Sequence, residues 1–451
     1  MRVLLAEPPE LFLAGTGHTR QVGPLGLAYV GAALAREHDV RFLLPDTRSY
    51  PGNDPWGEIE RAIRDEAPDV VGITAVTANY SNAGALAAVV KRTNPEILVV
   101  LGGVHASTEP AAALVGAPEI DVVVQGEGEV TMSELLRHVD PGRLEPTQLR
   151  DIPGLYWRDS DGAVANSCAR TPIADLDTLA FPLRQGLVWD DDLQPAFHQG
   201  IVTVRGCPYR CIYCAVPSSN ERKTRYRSAH NVADEVAALR ANHQVPALFF
   251  HDSVFTMRRS RTVEICDALI ERDLVVPFHC QTRADRVDPA LLEHMKAAGC
   301  EQIFFGIESG DADSLIRIRK KMDLPTIRNA VAMVKELGIR CTGFFMVGFP
   351  WETEARMRLT IDFATTLDLD AVSLFSATPL PGTELWEMAG GGHMPDSVDF
   401  RTPQVNLTSM PDDTYADLFR GFSEQLDQYN ADQMHQRVAA MQGATPVSWL
   451  D

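Results

Sequence analysis

The 451-residue chain carries a net charge of −20 with no outstanding block of lysine and arginine, which argues against a large nucleic-acid footprint. Its hydrophobic content of 45% is that of a soluble globular protein, and no apolar run approaches the roughly 20 residues of a membrane span. Eight cysteines in a chain this long are no disulfide scaffold, and thiols kept as thiols imply a reducing, cytoplasmic setting. The start, Met1-Arg-Val-Leu-Leu-Ala, has too short an apolar core for a signal peptide and reads as a first strand.

Residues 1 to about 135 alternate strand and helix. Val3-Leu-Leu-Ala is a strand, followed by a Pro/Gly-rich loop through His18 and a helix from Pro24 to Arg36, proline being tolerated in its first turn. Strands follow at Val40–Leu44, Asp69–Val76, Ile97–Leu101 and Ile120–Val124, with helices at Ile59–Glu66 and Tyr80–Lys91 between them. The next helix is expected to open on Thr131-x-x-Glu134, a capping-box pattern. Near-continuous apolar strands separated by helices predict a parallel sheet covered on both faces, a doubly wound α/β fold. Ligands of such sheets sit beyond the carboxyl ends of the strands, where Gly102, Gly103, Gly126 and Gly128 fall. Glycine there lets a ligand approach the backbone closely, and it also simply makes turns.

Residues from about 136 to 195 are rich in proline and aspartate, and Gly154 to Gly162 read as a hairpin whose turn is Asp161-Gly162. The apolar run Ile201–Val204 then ends at Gly206 and leads into Cys207-Pro-Tyr-Arg-Cys211-Ile-Tyr-Cys214. Three thiolates on one loop can converge on a single metal centre, and soft thiolates select zinc or iron–sulfur clusters. A closed zinc site wants four protein ligands. Three suggest a cluster with one iron left open to an outside ligand. A zinc loop completed by a distant ligand and chance clustering are the alternatives. Cys168, Cys266, Cys280, Cys300 and Cys341 are scattered and read as buried thiols. Strand–helix alternation resumes after the loop, with strands at 247–252, 277–283, 302–310, 342–350 and 371–375. Asp252, Ser253, Arg283, Glu308, Gly348 and Thr378 fall at strand ends, where barrel active sites lie. A last helix is expected from about Asp413 to Gln442.

The C-x3-C-x2-C spacing resembles the signature of the radical S-adenosylmethionine (SAM) superfamily. The resemblance implies that Cys207, Cys211 and Cys214 hold a 4Fe–4S cluster, with SAM chelating the fourth iron, and that Tyr213 packs near the adenine. It implies a partial (β/α)6 barrel beginning at the cysteine-bearing strand. Asp252-Ser253 would receive the SAM amino group, with Ser253 standing where many relatives carry a second acid. Glu308, in Gly-Ile-Glu-Ser-Gly, would bond SAM, and Gly348 would let the backbone approach the adenine. Arg283 would meet the SAM carboxylate or a substrate anion, or else form a salt bridge to Asp285 or Glu308.

Ahead of the cysteines, Pro24-Leu25-Gly26-Leu27, Gly102-Gly103-Val104-His105 and Gly126-Glu127-Gly128-Glu129 resemble the cobalamin-binding domain of cobalamin-dependent radical SAM enzymes. That implies cobalamin contacts at Pro24, Leu25, Gly26, Thr74, Gly102, Gly103, His105, Gly126 and Glu127. The D-x-H-x-x-G motif that puts a histidine under cobalt is missing. Gly17-His18-Thr19 lacks the aspartate, and around His105 Gly103 stands in its place and Thr108 in place of glycine. His105 is therefore expected to pack in its loop or bond a cofactor side chain. The implied organisation is a cobalamin domain over 1–135, a connector over 136–195, a radical SAM barrel over 196–390 and a helical extension over 391–451.

The implied activity is a methyltransferase moving a methyl from SAM through methylcobalamin to an unactivated carbon, or phosphinate phosphorus, of a small molecule by way of a 5′-deoxyadenosyl radical. The alternative is oxidative cyclisation or ring rearrangement without methyl transfer. A third class, RNA-modifying methylthiotransferases, carries a second cysteine triad near the N-terminus and a basic tail, and this chain has neither. A cofactor-binding sensor would not need the open iron. The expected partners are a small-molecule substrate and an electron donor such as flavodoxin or ferredoxin.

Overall fold

The computed structural model describes residues 1–9, 24–45, 54–139, 146–189, 199–216, 223–243, 245–391 and 398–443. The Gly17-His18-Thr19 loop lies outside the described residues. The chain divides into two compact units. One comprises Met1–Pro208, Cys214–Phe249 and Leu380–Asp399, and the other Tyr209–Tyr213, Phe250–Pro379 and Phe400–Asp451.

In the first unit the apolar runs form β1 (Arg2–Ala6), β2 (Asp39–Leu43), β3 (Val70–Thr74), β4 (Leu98–Gly102) and β5 (Val122–Val124). They pair in parallel in the order β2-β1-β3-β4-β5, with Leu5 opposite Phe42 and Gly72 on its two sides. Because successive side chains point to opposite faces, one strand feeds two cores. Leu5, Val70, Val100 and Val122 pack under α1 (Leu25–Leu34) and, further along the chain, under Met132 and Leu135. Leu4, Val71, Val99 and Val123 pack under α2 (Pro55–Glu66), α3 (Tyr80–Thr93) and Leu114. This is the doubly wound sheet that the sequence predicts. Short helices α4 (Val104–Thr108) and α5 (Pro110–Gly116) follow β4.

The helix after β5 differs from the expectation. α6 runs Gly128–His138 with Glu127 at its N-cap and no side-chain cap. Thr131 and Glu134 lie inside it: Thr131 Oγ1 donates to Glu127 O, and Glu134 pairs with Arg170. Four residues before Thr131, Glu127 is held by other partners and stands at the start. After α7 (Pro146–Leu149), the expected hairpin forms as β6 (Leu155–Arg158) and β7 (Val164–Asn166). It joins the sheet antiparallel to β5, so the first sheet continues past residue 135.

The run before the cysteines also differs. It splits into β8 (Gly200–Ile201) and β9 (Val204–Arg205), and β9 pairs antiparallel with β10 (Arg225–Tyr226), making a ribbon at the root of the cysteine loop. α8 (Ala229–Asn242) follows, capped by Ser228, whose side chain accepts from Asn231 N. Its Glu235 is 1% exposed and receives both Arg184 at 2.7 Å and Arg227. Removing one member of such a buried ion network costs on the order of 3–5 kcal/mol, because a charge is left without a partner.

The chain continues with β11 (Leu248–Phe250), α9 (Arg259–Glu271), β12 (Phe278–Thr282), α10 (Pro289–Ala297), β13 (Cys300–Glu308), α11 (Ala312–Arg317), α12 (Leu324–Glu336), β14 (Arg340–Val347), α13 (Glu354–Thr366), β15 (Ala371–Ser376) and α14 (Glu384–Met388). In the second unit β12, β13, β14 and β15 pair in parallel in sequence order. The last helix, α15 (Asp412–Gly443), buries Tyr415, Phe419, Phe422 and Leu426. Its Asn430 accepts from Val372 N at 2.8 Å and donates to Val372 O at 2.9 Å. That covers the backbone of edge strand β15, which would otherwise be open to pairing. No helix among the described residues is long and apolar enough to cross a membrane.

After β14, Glu352 folds back under its own loop and accepts from Gly348 N at 2.8 Å and Phe349 N at 3.1 Å. It is 1% exposed, and burial pushes its carboxyl up to about 7 against those hydrogen bonds. A raised acid stabilises the fold fully below its ordinary value of 4.5, and that contribution is lost as pH climbs through about 7. The expected result is that the stability difference between Glu352→Gln and the parent moves in the variant's favour between these pH values. Urea unfolding at pH 5 and pH 8 checks it, and a difference that does not change with pH refutes it.

Candidate active site

Cys207 is buried, Cys211 and Cys214 are partly exposed, and none of the three is in a disulfide. Among the described residues no three metal-ligating side chains are already gathered as a metal site. The other five cysteines are free as well. Four of them, Cys266, Cys280, Cys300 and Cys341, are buried, and burial pushes the thiols of Cys266, Cys280 and Cys341 up, away from the reactive thiolate form.

The middle of the cysteine loop docks within the second unit. Ile212 N donates to Ile318 O at 3.2 Å, and the Arg283 guanidinium lies 3.9 Å from the centre of the Tyr209 ring. Arg283 pairs with Asp285 at 2.8 and 3.0 Å and donates to Lys320 O at 2.6 Å. Of the two salt bridges considered, the structure forms the one to Asp285. Its Nη1 is buried without a hydrogen-bond partner among the described residues.

Glu308 pairs instead with Lys320, Nζ to Oε1 at 2.8 Å, and both residues are buried. Lys320 Nζ also lies 3.5 Å from the Tyr213 hydroxyl. The backbone is bent to achieve this. Register slips between Gly306 and Glu308, and Glu308 has φ of +75°. Arg319 and Lys321, either side of Lys320, stand at +57° and +54°. Such conformations cost about 1–3 kcal/mol each in non-glycine residues and persist where the surroundings impose them. In sequence, Arg317-Ile-Arg319-Lys320-Lys321 looks like a solvated basic run, so nothing marked Lys320 for burial.

Gly348 has φ of +97°, and a Cβ on it would stand 2.0 Å from the Tyr415 hydroxyl. Its missing side chain therefore makes room for the C-terminal helix. Asp252 is fully buried and presents no open surface, whereas Ser253 beside it is exposed. Thr378 Oγ1 turns back to Ser376 O. The Tyr213 ring lies 6.3 Å from Phe349, which stacks on Trp351 at 5.3 Å.

At the strand-end edge of the first sheet, a Cβ on Gly26, Gly102 or Gly126 would meet nothing within 4 Å among the described residues. Gly103 differs: at φ of +96°, a Cβ would stand 2.5 Å from Ala75 O and 2.7 Å from Thr74 Oγ1, so close packing requires glycine there. Pro24 precedes α1 and its carbonyl accepts from Ala28 N, while Leu25 is buried. Ser107, not singled out by the sequence, ties the two glycine turns together by donating to Gly103 O and accepting from Gly126 N. His105 is 8% exposed, stacks on Tyr80 at 4.1 Å and has Nδ1 3.3 Å from Thr77 Oγ1. Burial pulls it down to about 4, so the imidazole is neutral. Glu127 does not face this edge with a free carboxylate, because Arg205, Arg225 and Ile173 N hold it.

Residues 201–364 match the radical SAM superfamily and residues 19–136 match the B12 binding domain. An uncharacterized methyltransferase of Pyrococcus horikoshii is 32% identical over 394 residues, 86% of this chain and 83% of that protein. The chain belongs to the cobalamin-dependent radical SAM family. Its cofactors are a 4Fe–4S cluster, SAM and cobalamin. This cobalamin-dependent radical SAM protein is also similar to the anaerobic magnesium-protoporphyrin IX monomethyl ester cyclase of Rubrivivax gelatinosus, 30% identical over 74% of this chain and 60% of that protein. The cytidylyl-2-hydroxyethylphosphonate methyltransferase of Streptomyces wedmorensis is 27% identical, covering 80% and 77%. The fold is that of the radical SAM methyltransferase TsrM from Kitasatospora setae, with a TM-score of 0.72 at 21% identity over 86% of this chain and 78% of that one.

The residues present fit these groups: thiols as soft donors and, among the described residues, glycines with nothing packed against them and a buried guanidinium nitrogen without a partner. Buried and stacked on Tyr80, His105 yields an expected outcome for cobalamin. The reduced cob(II)alamin form should give an electron paramagnetic resonance spectrum without splitting from an axial nitrogen, unchanged in His105→Ala. Nitrogen splitting that vanishes in the variant would show the imidazole beneath cobalt.

Proposed function

We propose that this enzyme is a methyltransferase that delivers a SAM-derived methyl to an unactivated carbon, or to phosphinate phosphorus, of a small molecule. The observation that carries it is the relative named as a methyltransferase, which aligns along nearly the whole of both chains. The phosphonate methyltransferase, spanned over 77% of its length, points the same way. The second reading is cyclisation without methyl transfer, favoured by the 30% identity to the cyclase, of which the chain spans a smaller share.

When bound, the cluster with SAM supplies a strong hydrogen-abstracting radical and cobalamin supplies a methyl carrier. The chain's part is to bind and orient. Cys207, Cys211 and Cys214 would hold the cluster as thiolates. Arg283 Nη1, a buried donor without a partner among the described residues, suits the SAM carboxylate. Glu308 suits donors such as ribose hydroxyls and an ammonium, with Lys320 holding its other side, and Tyr213 offers a ring face beside Phe349 for the adenine. Asp252, buried, and Ser253, exposed, stand together on the loop that would receive the SAM amino group. Gly26, Gly102 and Gly126 would admit cobalamin against the backbone. A small-molecule acceptor and an external one-electron donor, of the flavodoxin or ferredoxin kind, complete the reaction.

A methyl electrophile cannot attack a carbon without a lone pair, so the acceptor must first become a radical. The reaction then consumes two SAM molecules per methyl. With reductant, methyl-labelled SAM and a panel of phosphinate and unactivated-carbon acceptors, 5′-deoxyadenosine and S-adenosylhomocysteine should form in about equal amounts, with label in the product. Deoxyadenosine alone with an unlabelled cyclised product would establish the second reading. In the Cys207/Cys211/Cys214→Ala protein, reconstituted without oxygen, the roughly four irons of the cluster should be absent.

A further inference from the structure

One group of charges in the first unit is used by nothing described so far. Glu127 lies between Gly126 and Gly128 at the exit of β5 and does not end in solvent. Its Oε1 accepts from Arg205 Nη1 at 2.9 Å, both its oxygens accept from Arg225 Nη1 at 2.9 and 2.8 Å, and Oε2 accepts from Ile173 N at 2.7 Å. Glu129, one residue past Gly128, accepts from Arg205 Nη2 at 2.5 Å. The Arg205 guanidinium lies 5.0 Å from the centre of the Tyr29 ring on α1. The side chains are 6–15% exposed. Two carboxylates and two guanidiniums make a neutral group that stays paired. Burial alone would raise Glu127, but the hydrogen bonds from Arg225 and Arg205 outweigh it and leave the carboxyl below its ordinary value.

The two ends of this ladder touch different cofactor elements. At one end Gly126, with φ of +84° and open space where a side chain would be, forms the strand-end edge. At the other, Arg205 is on β9 and Arg225 on β10, the paired strands at the root of the cysteine loop, and only Gly206 separates Arg205 from Cys207. A ligand that settles the backbone at 126–128 settles Glu127, and a settled carboxylate fixes the planar fork of Arg205. Arg225 Nε and Nη2 are buried without partners among the described residues, so this ladder depends heavily on the one carboxylate.

We propose that Glu127 is a positioning residue that couples cobalamin binding at the strand-end edge to cluster binding on the cysteine loop, through its ion pairs with Arg205 and Arg225. The proposal rests on the cofactor sites argued above. Coupling of this kind is reciprocal: each cofactor strengthens binding of the other by the same factor. The expected effect is that hydroxocobalamin binds the cluster-loaded protein at least about 5-fold more tightly than the cluster-free protein, near the lower end of measured couplings.

The test uses the full chain, prepared without oxygen, with and without a reconstituted cluster, titrated with hydroxocobalamin. In Glu127→Gln the ratio of the two dissociation constants should fall to about one, while both cofactors still bind. Arg205→Lys keeps the charge and loses the fork, so its ratio should fall as well, and it serves where the first variant folds poorly. The electron paramagnetic resonance signal of the reduced cluster should shift on adding hydroxocobalamin in the parent and stay still in both variants. Equal affinities in the parent, or an undiminished ratio in the variants, overturn the coupling. Absence of cobalamin binding in both parent preparations overturns the reading of the site itself, and the coupling with it.

Discussion

A guanidinium taken out of water must find a carboxylate, and this requirement organises both units. In the first, Arg184 and Arg227 close on Glu235, and Arg205 and Arg225 close on Glu127 and Glu129. In the second, Arg283 closes on Asp285, and the ammonium of Lys320 on Glu308. Each pair costs desolvation that its attraction roughly offsets, so none is a large source of net stability. What the pairs supply is register. Three of the four groups contact the cysteine loop or its root: through Arg205 and Arg225, through Tyr209 on Arg283, and through Tyr213 near Lys320.

The same constraint explains what could be read from the sequence. Period and composition show the strands, because a buried parallel strand is apolar along its whole length and its neighbours end at glycine. The cysteine spacing is local and shows itself. The ion pairs are not local. Glu127 and Arg205 are 78 residues apart, and Glu308 meets Lys320 across a helix and a turn. A glutamate between two glycines reads as a ligand-facing residue until the arginines that hold it are placed. The same gap explains the missed start of α6: the capping pattern at Thr131 is good chemistry, but a better-held carboxylate lies four residues earlier.

Glycines divide along the same line. Gly26, Gly102, Gly103, Gly126 and Gly348 look alike in sequence, all at or near strand ends or a helix start. Only neighbours distant in the chain separate them. Gly103 and Gly348 are glycine because Ala75 O and the Tyr415 hydroxyl occupy the place of a side chain. Gly26, Gly102 and Gly126 have open space there. An isolated motif therefore does not say which of its glycines is required by packing.

The strand-end edge has a definite electrostatic character. His105, buried against Tyr80, is neutral at any pH near 7, since burial holds it down to about 4. Glu127, the carboxylate next to Gly126, carries its charge toward Arg205 and Arg225. The two titratable groups that the motifs place at this edge thus contribute little field to it. What remains along this edge is backbone, hydroxyl and glycine: Thr74, Gly102, Ser107 and Gly126. Such a surface recognises by shape and by amide hydrogen bonds, which suits a macrocycle rimmed with amides better than a compact anion. The charge withdrawn from the edge reappears at the root of the cysteine loop, where it fixes β9 and β10 instead.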